Sequence, residues 1–138
     1  MPKSQKLIKL KHSVYSLHYH LILVAKYRRK AINQNILNII DKHSRGVTKA
    51  WGGTLLEFNR EKDHVHILLS LPPTLDLTKF VNNIKSITSR VVRKTFPDHV
   101  SQYYWEPVFW SRSYCLVSCG GAPLSVIKQY IENQEDIV

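Results

Sequence analysis

Apolar and polar positions change period several times along this chain, and each change marks an element. Ser13 to Lys26, SVYSLHYHLILVAK, alternates and is rich in Val, Tyr, Leu and Ile, which predicts a long strand ended by YRRK. From Asn33 to Trp51 the apolar or small residues Ile36, Ile39, Ile40, Val47 and Ala50 fit an amphipathic helix, and Gly52-Gly53 stops it. A hairpin follows, with GTLLEFNR as one strand, Glu61 to Asp63 as the turn and HVHILLSL as the return strand. After Pro72-Pro73, TLDLTKFVNNIKSITSRVVRKTF regains the helical period, with Phe80, Ile84, Ile87 and Val91 along one side, and Pro97 ends it. An aromatic stretch leads into a last strand near Val108 to Cys119. Gly120-Gly121 then breaks the chain, and PLSVIKQYIENQEDI predicts a final helix with Pro123 in its first turn.

The resulting order, β-α-β-β-α-β plus one helix, is the α+β ferredoxin-like (RRM-like) arrangement with an appendage. It predicts a four-stranded antiparallel sheet with two helices on one face, and the other face open for a ligand. The 138 residues suit one domain over 1–138, comprising a short basic arm at 1–12 and a C-terminal helix at 122–137 after the Gly-Gly hinge.

Charge narrows the partners. Lys and Arg number 20 against 10 Asp and Glu, a formal charge of +10, so nucleic acid is the first partner to expect and anionic membrane the second. No stretch approaches the roughly 18 apolar residues of a membrane helix, and the N-terminus has no signal-peptide pattern, so the expected location is cytoplasmic with no membrane partner. Two cysteines, Cys115 and Cys119, make neither a disulfide framework nor a strong zinc signal.

Strand alternation sets His64 and His66 on one face with Leu68 and Ser70, and Val65, Ile67, Leu69 and Leu71 on the other. The aliphatic set packs under the helices; the histidines belong to the open face, where two imidazoles can share a metal ion or a phosphate. A second such pair, His18 and His20, lies on the first strand and reads as structural or as a neighbour of the site. On the final helix, Tyr130 and Gln134 are four residues apart and therefore side by side. Gln134 sits in an apolar arc, where an amide asks for a polar target because burying it unpaired costs on the order of 1–3 kcal/mol.

Together these residues resemble a known family. DHVHILLSLPP is similar to the His-hydrophobic-His motif of HUH endonucleases. FWSRSYCLVSCGGAPLSVIKQYIENQ resembles the strand, Gly-Gly and Tyr-x-x-x-Gln helix of the single-tyrosine (TnpA type) transposases of small bacterial and archaeal insertion sequences, and YHLILVAKYRRKAI is similar to their first strand. The resemblance implies that His64, His66 and Gln134 bind a divalent cation, Mg²⁺ or Mn²⁺, and that Tyr130 is the nucleophile. It further implies action on single-stranded DNA and its hairpins at element ends, no need for ATP, and a homodimer with composite active sites.

DNA holding is expected from Lys26, Arg28, Arg29 and Lys30 after the first strand and from Lys79, Lys85, Arg90 and Arg93 on the second long helix, with Trp105, Trp110, Tyr103 and Tyr104 as candidates for base stacking. A solvated helix face and core aromatics are the plainer explanations, the latter favoured for Trp110. Rival functions are a non-catalytic ferredoxin-like nucleic-acid-binding module, a two-histidine-motif phosphoesterase, and a replication or mobilisation HUH nuclease.

Overall fold

The computed structural model describes residues 7–9, 14–119 and 131–132. Ile8–Lys9 (β1) pairs with Val14–Tyr15 (β2) in a small antiparallel ribbon. The main sheet follows: β3 (His18–Val24), β4 (Thr54–Arg60), β5 (His64–Ser70) and β6 (Cys115–Ser118), in spatial order β4-β5-β3-β6 with every pairing antiparallel. Helices α1 (Gln34–Ala50) and α2 (Leu77–Thr95) follow the first and third sheet strands, which gives the expected ferredoxin-like arrangement.

Both long helices begin at a side-chain cap. Asn33 accepts from the Ile36 amide at 2.9 Å, and Asp76 from the Lys79 amide at 3.1 Å. At the end of α1 the chain reverses through Gly52, whose φ of +86° lies in the left-handed region. Gly53 then runs so close to β5 that a Cβ would lie 2.7 Å from the Ser70 carbonyl oxygen. Only glycine permits that approach.

The core fills one face of the sheet. Leu21, Leu23, Val65, Ile67 and Leu69 pack with Ile36 and Ile40 of α1 and with Phe80, Ile84 and Val92 of α2. In β4 a bulge between Leu55 and Glu57 shifts the alternation by one, so Leu55 and Phe58 both join this core.

Three boundaries depart from expectation. The first strand is shorter than Ser13 to Lys26, because Val14–Tyr15 pairs with β1 instead; alternation continues across the break and does not mark where a partner strand ends. Part of the expected basic arm is thereby folded into a ribbon. The last strand pairs only over Cys115–Ser118, while Trp110 makes an isolated bridge to Ala25. Pro97 does not simply end a helix: it opens a short one, α3 (Pro97–Ser101), at the first-turn position where its missing N–H costs nothing. The Gly120-Gly121 hinge and most of the final helix, including Tyr130 and Gln134, lie outside the described residues; Ile131 and Glu132 are helical.

Candidate active site

β5 separates its two faces as alternation requires. Val65, Ile67 and Leu69 have no solvent exposure, while His64 and His66 are half-buried on the side away from α1 and α2. On that side Ile22 and Val24 are also buried, packed against Cys115 and Val117 of the neighbouring strand β6 and against Ile131. Ile131 thus covers part of the face expected to be open.

His20 joins the pair from β3. Its Nδ1 lies 2.8 Å from Nε2 of His66, with ring centroids 4.9 Å apart and planes tilted by 58°. The His66 pKa falls below the ordinary 6.5, first because burial disfavours the charged ring and then because His20 and His64 repel it. Both effects favour the neutral form of His66. Burial also lowers the pKa of His18 on the same strand face.

His64 is held differently. Its Nδ1 lies 2.8 Å from Oδ1 of Asp63. An ionised carboxylate can only accept, so Nδ1 carries the proton and Nε2 is the atom left for a cation. The turn that carries Asp63 is fixed by backbone bonds: the Ala25 amide donates to the Asp63 carbonyl at 2.8 Å, and the Ile32 amide to the Lys62 carbonyl at 3.1 Å. Arg28 Nε donates to the other carboxylate oxygen, Oδ2, at 3.3 Å, and Arg28 also donates to the Glu132 carbonyl at 3.0 Å.

Arg28 reaches Asp63 from a strained turn. Tyr27 and Arg28 have φ of 60° and 52°, a left-handed conformation that costs non-glycine residues of order 1–3 kcal/mol each and clusters at functional sites. The Lys26 and Arg29 cations lie 5.4 and 5.6 Å from the Tyr27 ring centroid. Arg28, expected only as a phosphate contact, thus holds the carboxylate that meets His64, while Lys26 lies against Tyr27.

Two imidazole donors on one face, one aligned by a carboxylate, suit a divalent cation that keeps open positions. Among the described residues no group of three or more His, Cys, Asp or Glu side chains is arranged to hold a metal ion. The third expected ligand, Gln134, and the expected nucleophile, Tyr130, lie outside the described residues.

The expected DNA contacts Lys79, Lys85, Arg90 and Arg93 lie on α2, in the helical layer. An open cleft of about 360 Å³ between α2 and residues 107–110 is lined by Lys85, Arg90 and Arg93 together with Ser86 and Ser89. Lys85 donates to the carbonyls of Ser111 and Arg112, both at 2.8 Å, and so staples the approach to β6. Arg90 and Arg93 bond the serines one turn back, and Lys79 and Lys30 are exposed. Among the candidate stacking aromatics, Trp110 and Tyr104 are core residues: the Trp110 indole donates to Thr88 at 2.9 Å and the Tyr104 hydroxyl to the Lys26 carbonyl at 2.7 Å. Tyr103 is half-buried, and Trp105 is 93% exposed.

Sequence reasoning passed over Asp63 as a turn residue and gave His20 no definite role. The only signal for Asp63 was its position directly before the first histidine. For His20 it was the matching parity of two histidine pairs on strands that turned out to be neighbours.

An antiparallel ferredoxin-like sheet with paired imidazoles on the face away from α1 and α2 defines the class of protein, an α+β domain with a candidate histidine-bearing site. The family described as "Transposase IS200 like" matches residues 13–134, and the chain belongs to that family of DNA transposition enzymes. It is similar to ISDra2 transposase TnpA of Deinococcus radiodurans, at 29% identity over 89% of this chain and 87% of the relative. Similarity to the transposase for insertion sequence element IS200 of Salmonella typhimurium is 28% over 91% of this chain and 81% of the relative. A crystallised protein of D. radiodurans R1 described as a transposase superposes with a TM-score of 0.82 at 30% identity, covering 94% of this chain and 99% of that one. A REP-associated tyrosine transposase bound to a REP hairpin shares the fold, with a TM-score of 0.58 at 9% identity over 91% of this chain and 68% of that one. No helix among the described residues is long and apolar enough to cross a membrane.

Proposed function

We propose that this IS200-like transposase acts as a single HUH domain over residues 1–138 that cleaves and rejoins single-stranded DNA through a covalent tyrosine intermediate. The observation that carries the reading is the face shared by His64 and His66, with Asp63 setting the tautomer of the first. His64 and His66 would hold Mg²⁺ or Mn²⁺, with Gln134 as third protein ligand. When bound, such a cation polarises the scissile phosphate and offsets its developing charge.

The Tyr130 phenol, whose ordinary pKa near 10 makes it a weak nucleophile, loses its proton and attacks phosphorus. A tyrosine O–P bond forms, the P–O3′ bond breaks, and the departing 3′ oxygen takes up a proton. The products are a 5′-phosphotyrosine and a free 3′-hydroxyl. Attack by a second 3′-hydroxyl reverses the step and joins new ends, so no ATP is needed. The +10 chain attracts the DNA phosphates. Hairpins at element ends are the proposed substrates and a homodimer with composite sites the proposed assembly.

The test is incubation with labelled single-stranded DNA and Mn²⁺, followed by denaturing electrophoresis. A covalent adduct is expected from the native protein and none from Tyr130→Phe; an adduct that survives the substitution overturns the assignment. Mixing Tyr130→Phe with His64→Ala chains checks the composite site: recovered activity supports it, and no recovery in confirmed heterodimers refutes it.

A further inference from the structure

Asp63 lies between two functional partners and belongs to neither the expected ligand set nor the expected DNA surface. One of its carboxylate oxygens meets His64 Nδ1 at 2.8 Å and the other meets Arg28 Nε at 3.3 Å. Its side chain is only 14% exposed, and that of His64 is 16% exposed. Side chains so covered have little freedom to choose other partners. Arg28 continues the chain of contacts, because the same guanidinium donates to the Glu132 carbonyl at 3.0 Å. Glu132 lies two residues from Tyr130 and two from Gln134. Beside it, Ile131 packs onto Ile22 and Val24 of the histidine-bearing face.

We propose that Asp63 is the positioning residue of the histidine pair and that Arg28 couples it to the docked helix segment at Ile131–Glu132. The inference rests on the metal-dependent reading above. The Asp63 carboxylate fixes the Nδ1–H tautomer of His64 and aims Nε2 away from the turn, toward the position where a cation would sit. Arg28 holds the carboxylate in that orientation. With one end on Asp63 and the other on a backbone carbonyl of the helix, Arg28 aligns His64 best when the helix is seated. The left-handed conformation of Tyr27 and Arg28 fits this role, since the turn is what brings the guanidinium across to Asp63.

The experiment uses the full chain in two measurements. In the metal-free protein at pH 8, long-range ¹H–¹⁵N NMR reads the His64 tautomer directly. Native protein is expected to show Nδ1–H, and Asp63→Ala a shift toward Nε2–H; a native Nε2–H tautomer overturns the proposal, whatever the variants do. Mn²⁺ affinity is then followed by electron paramagnetic resonance of the free ion. Losing a carboxylate behind a histidine ligand typically weakens metal binding about 10- to 100-fold, and that loss is expected for Asp63→Ala and Asp63→Asn with unchanged thermal unfolding of the metal-free chains. Arg28→Ala is expected to show a smaller loss that Arg28→Lys does not fully restore, because one ammonium cannot hold both partners. If His64→Ala abolishes Mn²⁺ binding while Asp63→Ala binds like the native chain, the positioning role is refuted and the metal reading stands. If the native chain shows no His64-dependent binding, the metal reading fails and the proposal falls with it.

Discussion

His20 and His66 meet across neighbouring strands, Nδ1 to Nε2, at 2.8 Å. Neither ring can give both nitrogens to other partners while this bond holds. A cation that takes Nε2 of His66 must first displace His20, at a cost near that of one hydrogen bond, about 0.5–1.5 kcal/mol. His20→Leu removes the competitor at similar volume and is expected to tighten Mn²⁺ binding about 2- to 10-fold by that energy. A calorimetric titration of native and variant chains checks it. Weaker binding in the variant would make His20 a support for His66 instead of a competitor.

Burial lowers the His66 pKa below the ordinary 6.5, so folding and protonation of this ring oppose each other. Above about pH 6.5 the ring is neutral in both the folded and unfolded chains and contributes no pH dependence. As pH falls below that value the unfolded chain takes up the proton first. Stability is then lost progressively until the folded ring also protonates. Urea unfolding of the metal-free protein between pH 8 and pH 5 is expected to show a midpoint that falls on the acid side, and His66→Gln is expected to flatten that fall. An equally steep fall in the variant would place the acid sensitivity elsewhere.

The sequence carried the fold further than the site for a physical reason. Periodicity reports which face of an element is buried, and Val65, Ile67 and Leu69 lie buried where alternation placed them. It does not report where a strand loses its partner: Val14–Tyr15 lies outside the main sheet although both residues favour strands. The His64 and His66 pair was legible because two positions on one strand necessarily share a face. Asp63, Arg28 and His20 were not, because their contacts with the pair depend on the register of β3 against β5 and on the Tyr27–Arg28 turn. Lys85 shows the converse error: a cation on an apparently solvated face is bonded to two carbonyls.

Thr88 stands at the centre of a buried polar chain. Its hydroxyl donates to the Ile84 carbonyl at 2.7 Å and accepts from the Trp110 indole at 2.9 Å. Thr88→Val keeps the shape and removes the acceptor, leaving an indole N–H buried without it. Such a loss costs about 1–3 kcal/mol. Urea unfolding is expected to show that decrease with an unchanged denaturant slope, and DNA binding at temperatures well below the transition should persist. A variant as stable as the native chain would mean that the indole finds another acceptor.

The basic residues of α2 separate by what already holds them. Lys79 and Arg90 are exposed, whereas Lys85 bonds the carbonyls of Ser111 and Arg112. If α2 faces DNA, Lys79→Ala or Arg90→Ala should weaken single-stranded DNA binding across sequences and reduce the slope of log affinity against log salt by about 0.7 per lost phosphate contact. Neither should change thermal stability appreciably, since exposed substitutions usually stay within about 0.5 kcal/mol. Lys85→Met should act in the opposite sense, lowering stability with little effect on the salt slope. Trp105, at 93% exposure, provides a check on stacking: Trp105→Ala should cost about 1–3 kcal/mol of single-stranded DNA affinity if a base rests on the indole. Fluorescence anisotropy at several salt concentrations, paired with thermal melts, separates these outcomes. Unchanged slopes in both Lys79→Ala and Arg90→Ala would remove α2 from the DNA surface and leave the turn at Lys26–Lys30 as the phosphate-contacting region.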